Sequence, residues 1–352
     1  MEFSKAKSMV FPRQVLVGHK VIEDIGTVCK NLELKNSCLV ITGSNSRKIA
    51  GEVVKEILGE EGYDVFMLEL GDATKENIDK AIIVLKESKA DFILGVGGGS
   101  KIDIAKLVAK QNGKSFISVP TSASHDGIVS PRASLKSNHG NVSIEGSTPI
   151  AIVADTAIIV KAPYRMLASG CGDVISNLTA VKDWLLAHKL KNEPFSSSAA
   201  ALAEMSAKVI IQNVDKIKQG TEESVWLTIK PIIESGAAMC IAGSSRPCSG
   251  SEHLFSHALD ILASGKALHG EQCGIGAIMM MYLHNGNWEE LRNALKELKA
   301  PVTAKELGIE KELVLQALTM AHKIRTERYT ILGDKGLSLE AAEKLASATE
   351  VI

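Results

Sequence analysis

The sequence predicts an α/β N-terminal domain built on a parallel sheet, followed by an all-α helical C-terminal domain. Three observations carry this. Over roughly the first 160 residues, short apolar β-branched runs alternate with helical patterns about 10–15 residues long, the mark of strands joined by crossover helices. A glycine-rich stretch, Gly95-Val96-Gly97-Gly98-Gly99, lies where one such run passes into a helix. After Pro163 the β-branched alternation fades and a 3.6-residue apolar period takes over. At 352 residues the chain is long for one core, so two domains are expected, 1–162 and 163–352.

Taken in order, Val15–Gly18 reads as a first strand and Cys38–Gly43 as a second. A helix over about Ser46 to Glu61 precedes a strand at Asp64–Leu68, and a helix over about Lys75 to Ser88 precedes a strand at Phe92–Gly97. A helix from about Lys101 to Lys110 leads to the strand Ser115–Pro120. Ala151–Asp155 and Ala157–Val160 are the last runs of this kind. Helices are then expected at about 171–190, 195–213, 221–242, 251–263, 271–284, 287–298, 311–326 and 339–350. No internal repeat or low-complexity segment interrupts the pattern.

Composition narrows the function classes. A net charge of −1 and 4% aromatics give no electrostatic or stacking argument for nucleic acid, nor for an anionic membrane. No apolar run approaches the roughly 20 residues of a spanning helix, so no membrane insertion is expected. Met1–Lys7 has neither an apolar stretch nor a cleavage site for export. The six cysteines form no CxxC pair, which points to a reducing cytoplasm. Cys171, Cys248 and Cys273 lie near the histidine-rich segments and are read as buried free thiols.

The glycine-rich stretch opens a helix directly after a strand. Glycines let a pyrophosphate approach the backbone, and the helix N-terminus offers free N–H groups and a favourable dipole, as in Rossmann-like folds. The GxGxxG fingerprint is not matched, because Ser100 holds its last position. A second polar loop, Pro120-Thr121-Ser122-Ala123-Ser124-His125-Asp126-Gly127, follows the next strand at the same sheet edge. Two such loops together favour a nucleotide. The turn Gly43–Lys48 lacks the acid that binds a ribose hydroxyl and carries Arg47 and Lys48 instead, so NADP is tolerated as well as NAD.

The densest chemistry is Arg246–His257 followed by His269-Gly270-Glu271. His253 and His257 are spaced i, i+4, which puts both rings on one helix face. Taken alone, such a pair is more often packing than ligation. With a third histidine able to return to the same point, two imidazoles and a carboxylate leave an open position on zinc, as a catalytic site requires.

These motifs together resemble the iron-containing alcohol dehydrogenase and dehydroquinate synthase superfamily, and within it the sn-glycerol-1-phosphate dehydrogenases. Gly97–Lys106 is similar to the family's GGG-x-x-x-D-x-x-K loop and Pro120–Ser130 to its second cofactor and substrate loop. Gly170–Asn177, Arg246–His257 and His269–Glu271 resemble its metal segments, and Arg325–Leu332 its C-terminal signature. The match runs in order from about residue 10 to 335.

The resemblance implies reduction of dihydroxyacetone phosphate to sn-glycerol 1-phosphate for ether phospholipids of the archaeal type. It implies one Zn2+ per subunit on Asp173, His253 and His269, and NADP and/or NAD on Gly97, Gly98, Gly99, Ser100, Lys101, Thr121, Ser122, Ala123, Ser124 and Ser130. Asp126 and His257 are expected to be catalytic, and Asp126, Asp173, His257 and Arg246 to bind substrate. Arg246 is the first candidate for the phosphate because its planar fork matches phosphate oxygens; Arg132, His139, Lys161 and Arg165 remain open. Arg325 and Arg328 are read as tying the C-terminal helix to the domain. A polyol dehydrogenase and a dehydroquinate-synthase-like cyclase are the alternatives. A cytoplasmic homo-oligomer acting on a small phosphorylated triose is expected.

Overall fold

A computed structural model describes residues 8–137 and 140–352; Met1–Lys7 and His139 lie outside the described residues. Six strands form one parallel sheet: β1 (Gln14–Gly18), β2 (Ser37–Thr42), β3 (Asp64–Glu69), β4 (Phe92–Gly97), β5 (Ser115–Pro120) and, after a hairpin of β6 (Arg132–Ser137) and β7 (Gly140–Glu145), β8 (Ala151–Asp155). Their order across the sheet is β1-β8-β5-β4-β2-β3, every neighbour parallel. The crossovers include α1 (Ile25–Asn31), α2 (Glu52–Glu60), α3 (Lys75–Ser88) and α4 (Gly99–Asn112).

Both faces of the sheet are covered, which is why its strands read as continuous apolar runs rather than alternating ones. Cys38 and Val40 of β2 pack with Val28 and Val54 on one side. Leu39 and Ile41 face the other side and join a core that continues through the helical half as far as Val351. The chain runs outward from β2 to β3 and then returns to lay β4 on the other side of β2, so the direction of winding reverses between β2 and β4. Ligands of open α/β sheets bind beyond the carboxyl ends of the strands at that reversal.

The helical half comprises α5 (Tyr164–Ile175), α6 (Asn177–Lys191), α7 (Ser197–Gln212), α8 (Glu222–Ala242), α9 (Ser251–Leu262), α10 (His269–Leu283), α11 (Trp288–Glu297), α12 (Lys311–Met320) and α13 (Leu339–Ala348). Several elements depart from the sequence expectation. Ala157–Val160 is not a strand, because the Asp155 carboxylate accepts the N–H groups of Ala157 and Ile158 and caps a helical turn over Thr156–Ile159. The single helix expected over 171–190 starts earlier and breaks at Ser176 into α5 and α6. The helix over 311–326 stops at Met320, and after the turn Ala321–Lys323 the chain is irregular to about residue 338.

The hairpin β6–β7 was not expected. Its apolar residues, Ala133, Leu135, Val142 and Ile144, are too few and too far apart to stand out from the polar residues between them. α8 passes the length and hydropathy test for a membrane span, contrary to the expectation that no run would. It is packed against α7 and α5, with Val225, Ile229 and Ile232 in the core.

Candidate active site

The glycine-rich loop sits at the reversal point. Gly97 has φ +152°, and a Cβ there would lie 2.8 Å from the Lys101 side chain and 2.9 Å from Ser46 Oγ, so the residue must be glycine. Gly98 adopts an extended conformation and caps α4, whose first residues, Gly99 and Ser100, open onto a cleft of about 400 Å³. Lys101 turns back to donate from Nζ to the Gly71 carbonyl. Gly97 and Pro120 are level in the sheet, and the Thr121 N–H donates to Gly97 O at 3.1 Å, so the two cofactor-type loops lie side by side. Ser124 and Ser130 of the second loop also line the cleft.

The later part of the glycine motif holds that second loop in place. Lys106 is fully buried and donates to the carbonyls of Gly127 and Arg132, while Asp103 Oδ2 accepts the Ser134 N–H at 3.1 Å. Arg47, read as a cofactor-tolerant cation, is paired with Glu52 at 2.5 Å.

Asp173, His253 and His269 come together on α5, α9 and α10. The approach depends on glycines: a Cβ on Gly270 would lie 1.9 Å from Ser169 O, and one on Gly172 would lie 2.5 Å from Gly270 O. Backbone therefore meets backbone where α5 crosses α10, and Asp173 is carried to His269. Asp173 Oδ1 lies 3.6 Å from His253 Nε2 and 3.7 Å from His269 Nε2. That oxygen is buried and has no hydrogen-bond partner, whereas Oδ2 accepts the Asp126 N–H at 2.8 Å.

The far ring nitrogens are both engaged. His253 Nδ1 lies 2.9 Å from Glu252 Oε1, and His269 Nδ1 lies 3.1 Å from Ser256 Oγ, which donates to Gln272. Outer partners of this kind fix ring orientation in metal sites. A bare carboxylate oxygen facing two Nε2 atoms suits ligands each about 2.0–2.2 Å from one shared ion, so these residues fit a divalent cation such as zinc.

Cys273, one turn beyond His269, joins the cluster, with Sγ 3.6 Å from His269 Nε2. All six cysteines are free and buried, as expected for Cys171, Cys248 and Cys273; Cys273, noted only for lying near the histidine-rich segments, belongs with the ligands. Electrostatics agree with the grouping. Burial opposes charge on Asp173, yet His253 and His269 hold it down to about 2. Burial likewise disfavours charge on His269, but Cys273 and Asp173 raise it to about 9. Burial and the Asp173 charge push Asp126 up to about 7.

Asp126 and His257 both line the cleft. Asp126 Oδ2 accepts from Ser235 Oγ at 2.8 Å. His257 is held well below its ordinary range by burial and by the positive surroundings of His269, His253, Arg325 and Arg328. Its Nδ1 has no hydrogen-bond partner and lies 4.0 Å from Asp260 Oδ2.

Arg246 is not where a substrate phosphate would be taken. Its guanidinium is buried, paired through Nε with Glu193 Oε1 at 2.7 Å and bonded to Tyr329 O at 2.8 Å, and it does not line the cleft. Arg165 is bound to Glu271 at 2.5 and 2.7 Å. Arg328 bonds Ser249 O and Ser245 Oγ, a tying role, but Arg325 opens into the cleft. Arg325, expected only to tie the C-terminal helix, lines the cleft, and so do His125, Asn141 and Ser143, for which no site role was expected.

A family profile described as iron-containing alcohol dehydrogenase matches residues 16–163. The glycerol-1-phosphate dehydrogenase (NAD(P)+) of Methanothermobacter thermautotrophicus is 54% identical to this chain over 346 residues, covering 98% of this chain and 99% of that protein. The chain belongs to the glycerol-1-phosphate dehydrogenase family. Its relative of the same name in Thermoplasma volcanium is 47% identical over the full length of both chains. Among solved structures, a probable glycerol dehydrogenase from Sinorhizobium meliloti matches with TM-score 0.78 and 21% identity over 98% of each chain, a likeness of fold.

Proposed function

We propose that this chain reduces dihydroxyacetone phosphate to sn-glycerol 1-phosphate with NADPH or NADH, as a metal-dependent cytoplasmic enzyme serving ether phospholipid synthesis and acting as a homo-oligomer. The family membership supports the reaction. The observation that carries the chemistry is the partnerless Oδ1 of Asp173, facing His253 and His269 in a cleft that begins at the N-terminus of α4.

Asp173, His253 and His269 are the residues that would hold Zn2+. When bound, the ion supplies Lewis-acid polarisation of the C2 carbonyl and the reduced nicotinamide supplies the hydride. The chain's own residues do the rest. The N–H groups opening α4 at Gly99 and Ser100 hold pyrophosphate oxygens, with no side chain on Gly97 to obstruct them. Hydroxyls of Ser124 and Ser130 line the path from that loop to the ligand cluster. Asp126, fixed by Ser235, accepts a hydrogen bond from a substrate hydroxyl. His257 faces the same cleft and, held neutral there, relays a proton from water to the C2 oxygen, accepting at one ring nitrogen as it donates from the other.

The test is turnover of NADPH with dihydroxyacetone phosphate, with the product offered to a glycerol-3-phosphate dehydrogenase specific for the opposite enantiomer. Expected are steady NADPH consumption, loss of turnover on exhaustive chelation, and a product the second enzyme leaves untouched. Consumption of the product would refute the stereochemical assignment. Turnover with glycerol and none with the phosphorylated substrate would favour a polyol dehydrogenase, and no net NADPH consumption would favour a cyclase.

A further inference from the structure

Two of the three lysine and arginine side chains lining the cleft have no acid bonded to them. Of the cations lining it, Lys136 is paired with Asp72 at 2.7 Å. Arg132, at the base of the β6–β7 hairpin, has only neutral partners: Nε donates to Ser143 Oγ at 3.2 Å and Nη2 to Ser143 O at 2.6 Å. The Arg325 side chain, on the irregular segment after α12, has no hydrogen bond or ion pair among the described residues, and Glu327 is the acid that acts on it. Asp260, which lines the same cleft, accepts from Asn141 at 3.1 Å and from Gln272 at 3.2 Å. Two guanidiniums therefore line one cleft with no acid bonded to either.

An uncompensated pair of half-buried arginines is costly unless an anion joins it. Burial and repulsion from Arg325 lower the proton affinity of Arg132, and Glu145, the acid that acts on it, is bound instead to Lys110 at 2.7 Å. The segment that carries Arg325 is tied down just beyond it, and the Arg325 carbonyl accepts the Arg328 N–H at 3.0 Å. Arg328 bonds Ser249 O and Ser245, the Tyr329 carbonyl accepts from Arg246, and the Ile331 N–H donates to Asp183 Oδ1 at 2.7 Å. A segment anchored at Arg328, Tyr329 and Ile331 that leaves the Arg325 guanidinium unbonded is pre-organised for an outside partner.

Building on the reading above, we propose that Arg325 and Arg132 form the seat of the substrate phosphate, one from each half of the molecule, and that this pair selects phosphorylated over unphosphorylated ketones. The ligand class is a phosphate monoester dianion, which suits planar, bidentate guanidinium recognition. The seat shares the cleft with His257 and the Asp173 cluster, so a three-carbon substrate anchored there presents its middle carbon to them.

The experiment compares Arg325→Gln and Arg132→Gln with the unaltered enzyme, loaded with zinc, on dihydroxyacetone phosphate and on dihydroxyacetone. Each variant is expected to raise KM for the phosphorylated ketone by about 10- to 100-fold, the size of a lost charge-assisted bond. KM for NADPH, zinc content and kcat/KM for dihydroxyacetone should stay within a few-fold. Inorganic phosphate should compete with the phosphorylated ketone in the unaltered enzyme and lose that competition in both variants. Arg325→Lys, which keeps the charge but not the fork, should recover part of the affinity. An unchanged KM for the phosphorylated ketone in both variants, or an equal loss on both ketones, overturns the seat. No turnover of the phosphorylated ketone by the unaltered enzyme would overturn the functional reading itself.

Discussion

Asp173 divides its two carboxylate oxygens between different tasks. Oδ2 accepts the Asp126 N–H and so fixes the second cofactor loop, while Oδ1 is left for a ligand. The histidines divide similarly, with Nε2 toward the cleft and Nδ1 toward Glu252 or Ser256. Removing an outer partner should leave the ligand in place but less well aimed. Ser256→Ala is therefore expected to weaken zinc affinity by about 10-fold, measured by competition with a chromophoric chelator, with little change in Tm. These pairings were only partly legible in the sequence. His253 and His269 stand out by spacing, Asp173 by resemblance and Cys273 only by lying one turn beyond His269, but nothing local distinguishes Ser256 from any other buried residue on a helix. Arg246 shows the opposite error, since its place beside a histidine motif suggested a ligand contact. The partner that occupies it, Glu193, lies 53 residues away in sequence.

Among elements, the crossing of α5 and α10 decides whether the ligands meet. Gly172 and Gly270 let two backbones touch, and a methyl group at Gly270 would collide with Ser169 O. Gly270→Ala should force the helices apart, costing about 1–3 kcal/mol of stability by denaturant titration, and should lower zinc content as well. Had the crossing no part in building the site, stability would fall while zinc affinity stayed intact. The sheet elements were legible because both faces are buried and their runs are uninterrupted. The helical half was legible as helices but not in its breaks. The stop at Ser176 and the end of α12 at Met320 leave the periodicity almost undisturbed, and only packing against neighbours shows where the axis turns. The β6–β7 hairpin was missed for want of a strong pattern, and it supplies Arg132.

For the whole molecule, the cleft lies between the sheet half and the helical half, and one apolar core runs through both. The ligand helices pack into that core through Phe255, Leu259, Ile275 and Ile278. Chelation is accordingly expected to abolish turnover while far-UV circular dichroism is retained. Tm should fall by a few degrees, since a ligand at a hundredfold excess over Kd stabilises by about 3 kcal/mol. Collapse of helical signal on chelation would show the ion to be structural instead.

The sequence by itself determined the alternation of strands and helices, the change of character after Pro163, the glycine-rich turn and the histidine spacing. Each of these is a local pattern, set by backbone sterics or by the period of burial within one element. Tertiary structure alone decided that Asp173 keeps one oxygen free, that Cys273 joins the histidines, that Arg246 is occupied and that Arg325 is not. Those outcomes depend on which side chains meet across distances of tens to hundreds of residues. Burial and charge balance at such meetings are properties of the packed molecule, and no short stretch of the chain encodes them.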